Sequence, residues 1–309
     1  MNSLAITDQE LTRLVGQDLA TLPPGCQGQI NRLNREYRLL SPEELERHQL
    51  LVLKRIHETK LFRNAEENRQ AFEAGWRENL QLCAANGVSI EALKPKYVRP
   101  YEVLRFQGRY ICPDNPFLLD QLQSLTANLS FQKYFSDLDT IYEFGCGSGQ
   151  FLHALSELFP HKDLFGLDWT ESSAQLLDLV AQTGVRVKGV VFDMLQPDRE
   201  FAIRPGSGVM TIGALEQLGD RFGAFLNYLL EQRPRVVIHH EPILDFYNPD
   251  HLFDYLAILW HRKRGYLNGY LGALRALEAE GRIKILAARS PGFGDPFHES
   301  TSFIAWEPV

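Results

Sequence analysis

The chain has too few cysteines to be organised around them. Cys26, Cys83, Cys112 and Cys146 stand far apart with no C-x-x-C pair, which excludes a disulfide framework and any zinc site readable from sequence. No apolar run approaches the roughly 20 residues of a membrane span, so no membrane partner is expected. Met1 to Glu10 is polar with no apolar core segment, so no signal peptide is read there and a cytoplasmic, reduced setting is expected. Basic charge is scarce as well. The net charge is −7, and the one dense basic run is His261-Arg262-Lys263-Arg264. A protein that grips a phosphate backbone shows a basic face, so a nucleic-acid partner is disfavoured. The run itself reads as a solvated helix end ahead of a phosphate clamp. Repeats and low-complexity tracts are absent. The 309 residues, 44% hydrophobic and 23% charged, have an ordinary soluble composition, with room for an α/β domain of about 170 residues and a second unit.

Glycine, by contrast, is concentrated where it matters. Ile141-Tyr142-Glu143-Phe144-Gly145-Cys146-Gly147-Ser148-Gly149 reads as a buried strand, an acidic residue, a glycine loop and the start of a helix near Gln150. Alternate glycines let the backbone turn sharply and lie close to a ligand. A second strand, Leu164 to Asp168, ends in a carboxylate able to accept both hydroxyl protons of a ribose. A third, Val187 to Phe192, closes on Asp193. The spacing differs from the dinucleotide fingerprint G-x-G-x-x-G, because Gln150 stands where the third glycine would be. Glu143 would also repel a phosphate, whereas it suits a ligand with an ammonium or sulfonium.

These residues resemble the class I S-adenosylmethionine-dependent methyltransferases, whose first motif is E/D-x-G-x-G-x-G. The resemblance covers roughly residues 138–307 and implies the cofactor S-adenosyl-L-methionine. It places Glu143 at the methionine amino end, Gly145, Gly147 and Gly149 in the loop, and Asp168 on the ribose. Trp169 would lie on adenine, Asp193 would accept from its amine, and Met194 would fill the other face. Ile212, at the end of the fourth strand, completes the expected cofactor set. A turn-forming aspartate is the lesser reading of Asp193. Ala214-Leu215-Glu216-Gln217 resembles the family's fourth motif with Gln217 in place of histidine, so Glu216 reads as a helix anchor or a substrate contact. The N-P-P-Y tetrapeptide of enzymes that methylate nucleic-acid amines is absent.

The expected fold is a seven-stranded, mostly parallel Rossmann-like sheet with an antiparallel last strand, plus an N-terminal helical cap. Strands are expected near 140–144, 164–168, 187–192, 208–213, 235–240, 283–288 and 301–306. Residues 1–112 read as the cap and connecting segment, and 113–309 as the cofactor-binding domain. Capping boxes at Thr7–Glu10 and Ser41–Glu44 start two cap helices, and a third runs from Asn64 to a C-cap at Asn86-Gly87. A two-helix insertion at 250–281 would serve as a lid over the acceptor or as a homodimer face.

Lys96 to Tyr110 alternates tyrosine with arginine. It reads either as an edge hairpin whose arginines pair with surface carboxylates, or as a pocket wall in which Tyr101 and Arg105 touch substrate. Strand five ends in His239-His240-Glu241, and His298-Glu299 precedes the last strand. His240, Glu241 and His298 are the candidate bases for an acceptor hydroxyl, with His239 a candidate substrate contact. Metal binding and plain structural hydrogen bonding are the other readings of these residues, and no metal is expected. The function expected is methylation, at oxygen or carbon, of a small and conceivably anionic acceptor such as a sugar derivative or carboxylated metabolite. The alternatives are a macromolecular methyltransferase, a nicotinamide-dependent oxidoreductase and a non-catalytic cofactor binder.

Overall fold

The computed structural model describes residues 3–58, 65–299 and 301–309, leaving aside the side chains at 24 and 65–67. Among the described residues, twelve strands form two sheets. The smaller joins β1 (Leu4–Ala5), β2 (Glu36–Leu39), β4 (Arg109–Pro113), β3 (Leu104–Phe106) and β11 (Phe293–Gly294), in that order. Each of its pairs is antiparallel.

The larger sheet has the order β10-β12-β9-β8-β5-β6-β7. Its members are β5 (Thr140–Phe144), β6 (Asp163–Asp168), β7 (Val187–Val191), β8 (Gly208–Ile212), β9 (Val236–Glu241), β10 (Ile283–Arg289) and β12 (Ser302–Pro308). The first five run parallel. The final strand, β12, is antiparallel to both β9 and β10, as its short preceding loop requires. All seven expected strands are present within two residues of their expected bounds.

The sheet is sandwiched. Helix Gly223–Gln232 and helix Tyr270–Ala279 cover one face, where Phe144, Val209, Val237, Leu271, Leu274 and Trp306 share a core. Helices Leu118–Phe135, Gln150–Leu158 and Glu171–Gln182 cover the other, around Phe131, Ile141, Leu155, Leu177 and Ile238. Strands buried on both faces explain the continuous apolar runs of the sequence.

The N-terminal region is less purely helical than expected. Both capping boxes form, and helix Ala65–Asn86 closes with Gly87 N–H on the Cys83 carbonyl at 2.9 Å. The expected start of that helix at Asn64 lies outside the described residues. Between the helices, however, the chain builds the smaller sheet, and Phe293–Gly294 returns from the C-terminal half to complete it. The expected boundary at 112/113 therefore falls where β4 ends, but chain from beyond it belongs to the N-terminal sheet.

The insertion holds helix Leu252–Arg264 and helix Tyr270–Ala279. Leu256 and Trp260 of the first pack on Val52 and Ile56 of helix Pro42–His57. The second contributes Tyr270, Leu271 and Leu274 to the main core. Both apolar faces are thus used within the chain, leaving Leu252 and Tyr255 as the exposed large apolar residues of the first helix.

Candidate active site

The carboxyl ends of the parallel strands open into a cavity of about 900 Å³, the size of pocket that holds a small ligand or two. Its floor is the glycine loop. Gly145, Gly147 and Gly149 all have left-handed φ, at 73°, 52° and 75°. The N–H groups of Gly145 and Cys146 donate to the Leu167 carbonyl at 2.6 and 3.1 Å, fastening the loop to β6. At Gly147 two demands coincide: φ is positive, and a Cβ would stand 2.6 Å from Cζ2 of Trp76. Helix Ala65–Asn86 therefore lies directly over the loop. The same helix ties itself to the start of helix Glu171–Gln182, which follows β6, through Glu73, which accepts from Ser172 Oγ at 2.5 Å and Ser172 N at 3.2 Å.

Glu143 and Asp168 face the cavity from the ends of β5 and β6. Asp168 is firmly held: Oδ2 accepts from Gly147 N at 3.1 Å, and Oδ1 accepts from Thr170 N and Oγ1 at 3.0 and 2.7 Å. Burial nonetheless raises its pKa, with those three bonds opposing the rise. Glu143 is the opposite case. It is 1% exposed, and its Oε2 has no partner in the protein. Burial raises its pKa well above the carboxylate range, and the charges of Asp168 and Glu241 add to the rise. A buried carboxylate of this kind needs a cation to be ionised.

Trp169, Asp193, Met194 and Ile212 line the same cavity. Asp193 also accepts from Leu195 N at 2.8 Å, so the turn and the cavity wall use one residue. Cys146 is buried, with a thiol pushed well up by burial and then by Asp168 and Glu143; it fills space as a neutral group.

The other half of the cavity is formed by Tyr97, Arg99 and Tyr101, by Trp260, Arg264 and Tyr266 of the insertion, and by Asp295, Phe297, His298 and Thr301. Tyr97 is 62% exposed, but that surface opens into the cavity. Burial among surrounding atoms, then the charges of Glu216, Glu143, Asp168 and Glu241, raise its pKa.

Glu216 also reaches the cavity. Gln217 Nε2 donates to its Oε1 at 3.0 Å. Burial, and then the neighbouring Glu241, push its pKa far up.

Four expected site residues are placed differently. Arg105 is fully buried and outside the cavity. Its Nε donates to Glu299 Oε1 at 3.1 Å, Nη1 donates to the Phe253 carbonyl at 2.9 Å, and the guanidinium sits 3.4 Å from the Phe253 ring centre. The hairpin reading of this segment describes it better, although the partner carboxylate is internal. His239 points to the opposite face of β9 from the cavity. Its Nδ1 meets Thr211 Oγ1 at 2.8 Å, and its Nε2 meets Tyr270 OH at 2.8 Å and the Trp306 indole N–H at 3.2 Å. Glu241 is also outside the cavity: its oxygens accept from Ala214 N at 3.1 Å and Glu216 N at 3.2 Å, anchoring the loop after β8. His240 does line the cavity, but its Nε2 is taken by Ser130 Oγ at 2.8 Å. Burial, then Arg289, push its pKa down to about 3, far too low for a base that must hold a proton at neutral pH.

His298 remains. It lines the cavity and is 5% exposed. Its Nε2 is 3.5 Å from Asp295 Oδ2, and its Nδ1 has no partner. Burial works to raise the Asp295 carboxyl, but His298 and the backbone N–H groups of His298 and Phe297 outweigh it and hold it below its ordinary value. The result is an imidazole oriented by a carboxylate. Among the described residues, no group of three or more His, Cys, Asp or Glu side chains is arranged to hold a metal ion, and no helix is long and apolar enough to cross a membrane.

Sequence reasoning missed Trp76, Trp260, Tyr266, Asp295 and Thr301. Trp260 and Tyr266 fall in the insertion read as a lid, and Tyr97 and Arg99 in the tyrosine–arginine segment. Trp76 sits on a helix whose pattern carries no mark of a cavity.

No protein-family model and no curated protein matches the chain. Solved structures of similar fold include the O-methyltransferase NcsB1 of neocarzinostatin biosynthesis, in complex with S-adenosylmethionine and 2-hydroxy-5-methyl naphthoic acid. It is 19% identical over 62% of this chain and 58% of its own length, with a TM-score of 0.40, so the likeness spans little more than half of that protein. The N-methyltransferase NodS from Bradyrhizobium japonicum WM9, with S-adenosyl-L-homocysteine, is 15% identical over 63% of this chain and 89% of that one, with a TM-score of 0.44. The plantazolicin methyltransferase BpumL is 14% identical over 79% and 98%, with a TM-score of 0.43. By strand order, the direction of its last strand and its glycine loop, the chain has the seven-stranded, mostly parallel Rossmann-like fold expected from its sequence.

Proposed function

We propose that this protein is an S-adenosylmethionine-dependent methyltransferase acting on the hydroxyl of a small, enclosed acceptor. The observation that carries the reading is Glu143. Its unpartnered Oε2, at the end of the strand that feeds the glycine loop, suits a ligand bearing positive charge and would repel a phosphate. Asp168, fixed by three hydrogen bonds, is presented as an acceptor for ribose hydroxyls, and Trp169 and Met194 offer flanking surfaces for a base.

Bound there, the cofactor would supply an electrophilic methyl on a sulfonium, open to in-line displacement by the acceptor oxygen. The chain's own residues align and deprotonate. Alignment within an enclosed cavity can supply roughly 7–11 kcal/mol of the barrier. His298 takes the hydroxyl proton at Nδ1, its imidazole oriented by Asp295, a contribution of about 10²–10⁴-fold for a positioned base. The enclosure by helix Ala65–Asn86 and the insertion favours a small metabolite over a polymer, in line with the acidic net charge.

Calorimetric titration with S-adenosylhomocysteine, with NAD as the control ligand, is the test. Micromolar binding that Asp168→Ala abolishes is the expected result. Absence of binding, or preference for NAD, would overturn the reading.

A further inference from the structure

On the acceptor side, three side chains that line the cavity are each more than nine-tenths buried and carry a polar atom with no partner in the protein. Trp260 Nε1 can only donate. Thr301 Oγ1 donates and accepts. His298 Nδ1 accepts when Nε2–H is directed at Asp295. An apolar platform lines the same cavity: Phe297 is half-buried and stacks on Trp260 with ring centres 4.2 Å apart and planes 15° apart. Behind them the same chemistry continues, since both nitrogens of His261 and Oε2 of Glu299 are also unpartnered and buried. The His261 and His298 rings are 5.1 Å apart.

An acceptor with one hydroxyl satisfies one of these groups. A carboxylate meets the donors but faces Asp295, which burial and hydrogen bonding hold in place beside His298. A ring carrying neighbouring hydroxyls meets all three, because each hydroxyl both donates and accepts, while its C–H face lies on the Phe297 ring. Leaving such groups unmet is what makes a polar pocket reject an analogue lacking the hydroxyl.

We propose that the acceptor is a polyhydroxylated ring of the sugar or cyclitol class, with His298 at the hydroxyl that is methylated and Trp260 and Thr301 on its neighbours. The proposal rests on the methyltransferase reading and deepens it.

The test uses the full chain, tritiated S-adenosylmethionine and two acceptor panels. One holds methyl pyranosides, uronic acids, inositols and sugar nucleotides; the other holds single-hydroxyl phenols and primary amines. Transfer to a member of the first panel is expected. Trp260→Phe, which keeps the ring and removes the donor, and Thr301→Val, which keeps the shape, should each raise KM for that acceptor by about 5–30-fold, more than either lowers kcat. Unchanged affinity for S-adenosylhomocysteine in both variants reports an intact fold. Transfer only to phenols or amines, transfer to neither panel while S-adenosylhomocysteine still binds, or variants with unchanged KM would overturn this inference. Failure of the wild-type protein to bind S-adenosylhomocysteine would instead overturn the functional reading beneath it.

Discussion

Replacing Glu143 with glutamine should make the empty protein more stable and the cofactor complex weaker. The two effects share one cause. In the empty protein Glu143 has no cation beside it, and burial raises its pKa well above the ordinary 4.5. A carboxyl whose pKa is higher folded than unfolded stabilises the protein below its unfolded pKa, and that contribution is lost as pH rises toward the folded value. Between 4.5 and pH 7 the loss is capped at about 3.4 kcal/mol, taking about 1.4 kcal/mol for each pH unit. Glutamine cannot ionise and avoids this loss, but its amide remains buried and unpaired, so a gain of about 1–2 kcal/mol is expected. For a chain this long that is a rise of about 1.5–3 °C in Tm. In the complex the variant forfeits a charge-assisted hydrogen bond to the ligand's ammonium, worth about 1.5–3 kcal/mol, so affinity for S-adenosylhomocysteine should fall roughly 10–150-fold. Thermal melting at pH 7 and pH 5 and calorimetric titration read both halves. The stability gain should shrink at pH 5. A variant that melts lower than wild type at pH 7, or binds S-adenosylhomocysteine within threefold of it, would refute the reasoning.

Three further outcomes are expected. Gly147→Ala places a Cβ 2.6 Å from the Trp76 ring at a left-handed φ, a conformation costing about 1–2 kcal/mol; S-adenosylhomocysteine affinity should drop at least tenfold in calorimetry and recover in part when Trp76→Ala is added. Glu73→Ala removes the two hydrogen bonds from Ser172, so stopped-flow should show S-adenosylhomocysteine leaving several-fold faster. His239 and His240, both pushed down to about 3, keep the fold stable above their unfolded pKa near 6.5 and withdraw that stability as pH falls. By pH 5 each should cost about 2 kcal/mol, and urea titrations across pH 7 to 5 should show His240→Asn losing about 2 kcal/mol less stability than wild type.

The large sheet was legible because its strands are buried on both faces and separated by helical stretches, and because turn chemistry marks their ends. Glu143, Asp168 and Asp193 could be placed at the cavity from sequence, since residues just after parallel strands face the ligand crevice. The small sheet was not legible. Leu4–Ala5 and Phe293–Gly294 are two residues each, too short for any periodic signal, and their pairing is decided by tertiary contacts. Side-chain direction was the second limit. Strand alternation allowed only one of His239 and His240 to face the cavity, but the choice depends on which face of β9 meets helix Leu118–Phe135, where Ser130 waits for His240. Arg105 failed for a related reason. An arginine beside tyrosines has the same sequence signature whether it lines a pocket or, as here, cements the hairpin to the loop carrying Glu299.

The titratable groups around the cavity sort by side, and the sorting matches the proposed chemistry. Glu143, Asp168 and Glu216 crowd the cofactor half with pKa values raised chiefly by burial. Among the described residues Glu143 Oε2 has no partner, so on the proposed reading the charge that would let it ionise is brought by the ligand. A sulfonium-bearing amino acid brings two positive centres and one negative, and its net charge falls by one once the methyl has left. An acid-lined cavity therefore gains more from the methyl donor than from its demethylated product. On the acceptor half the imidazoles of His240 and His261 are held neutral, chiefly by burial, and only His298 is backed by a carboxylate. Positive charge is thus drawn to one side of the cavity, while the proton released by the acceptor has one oriented imidazole to receive it on the other.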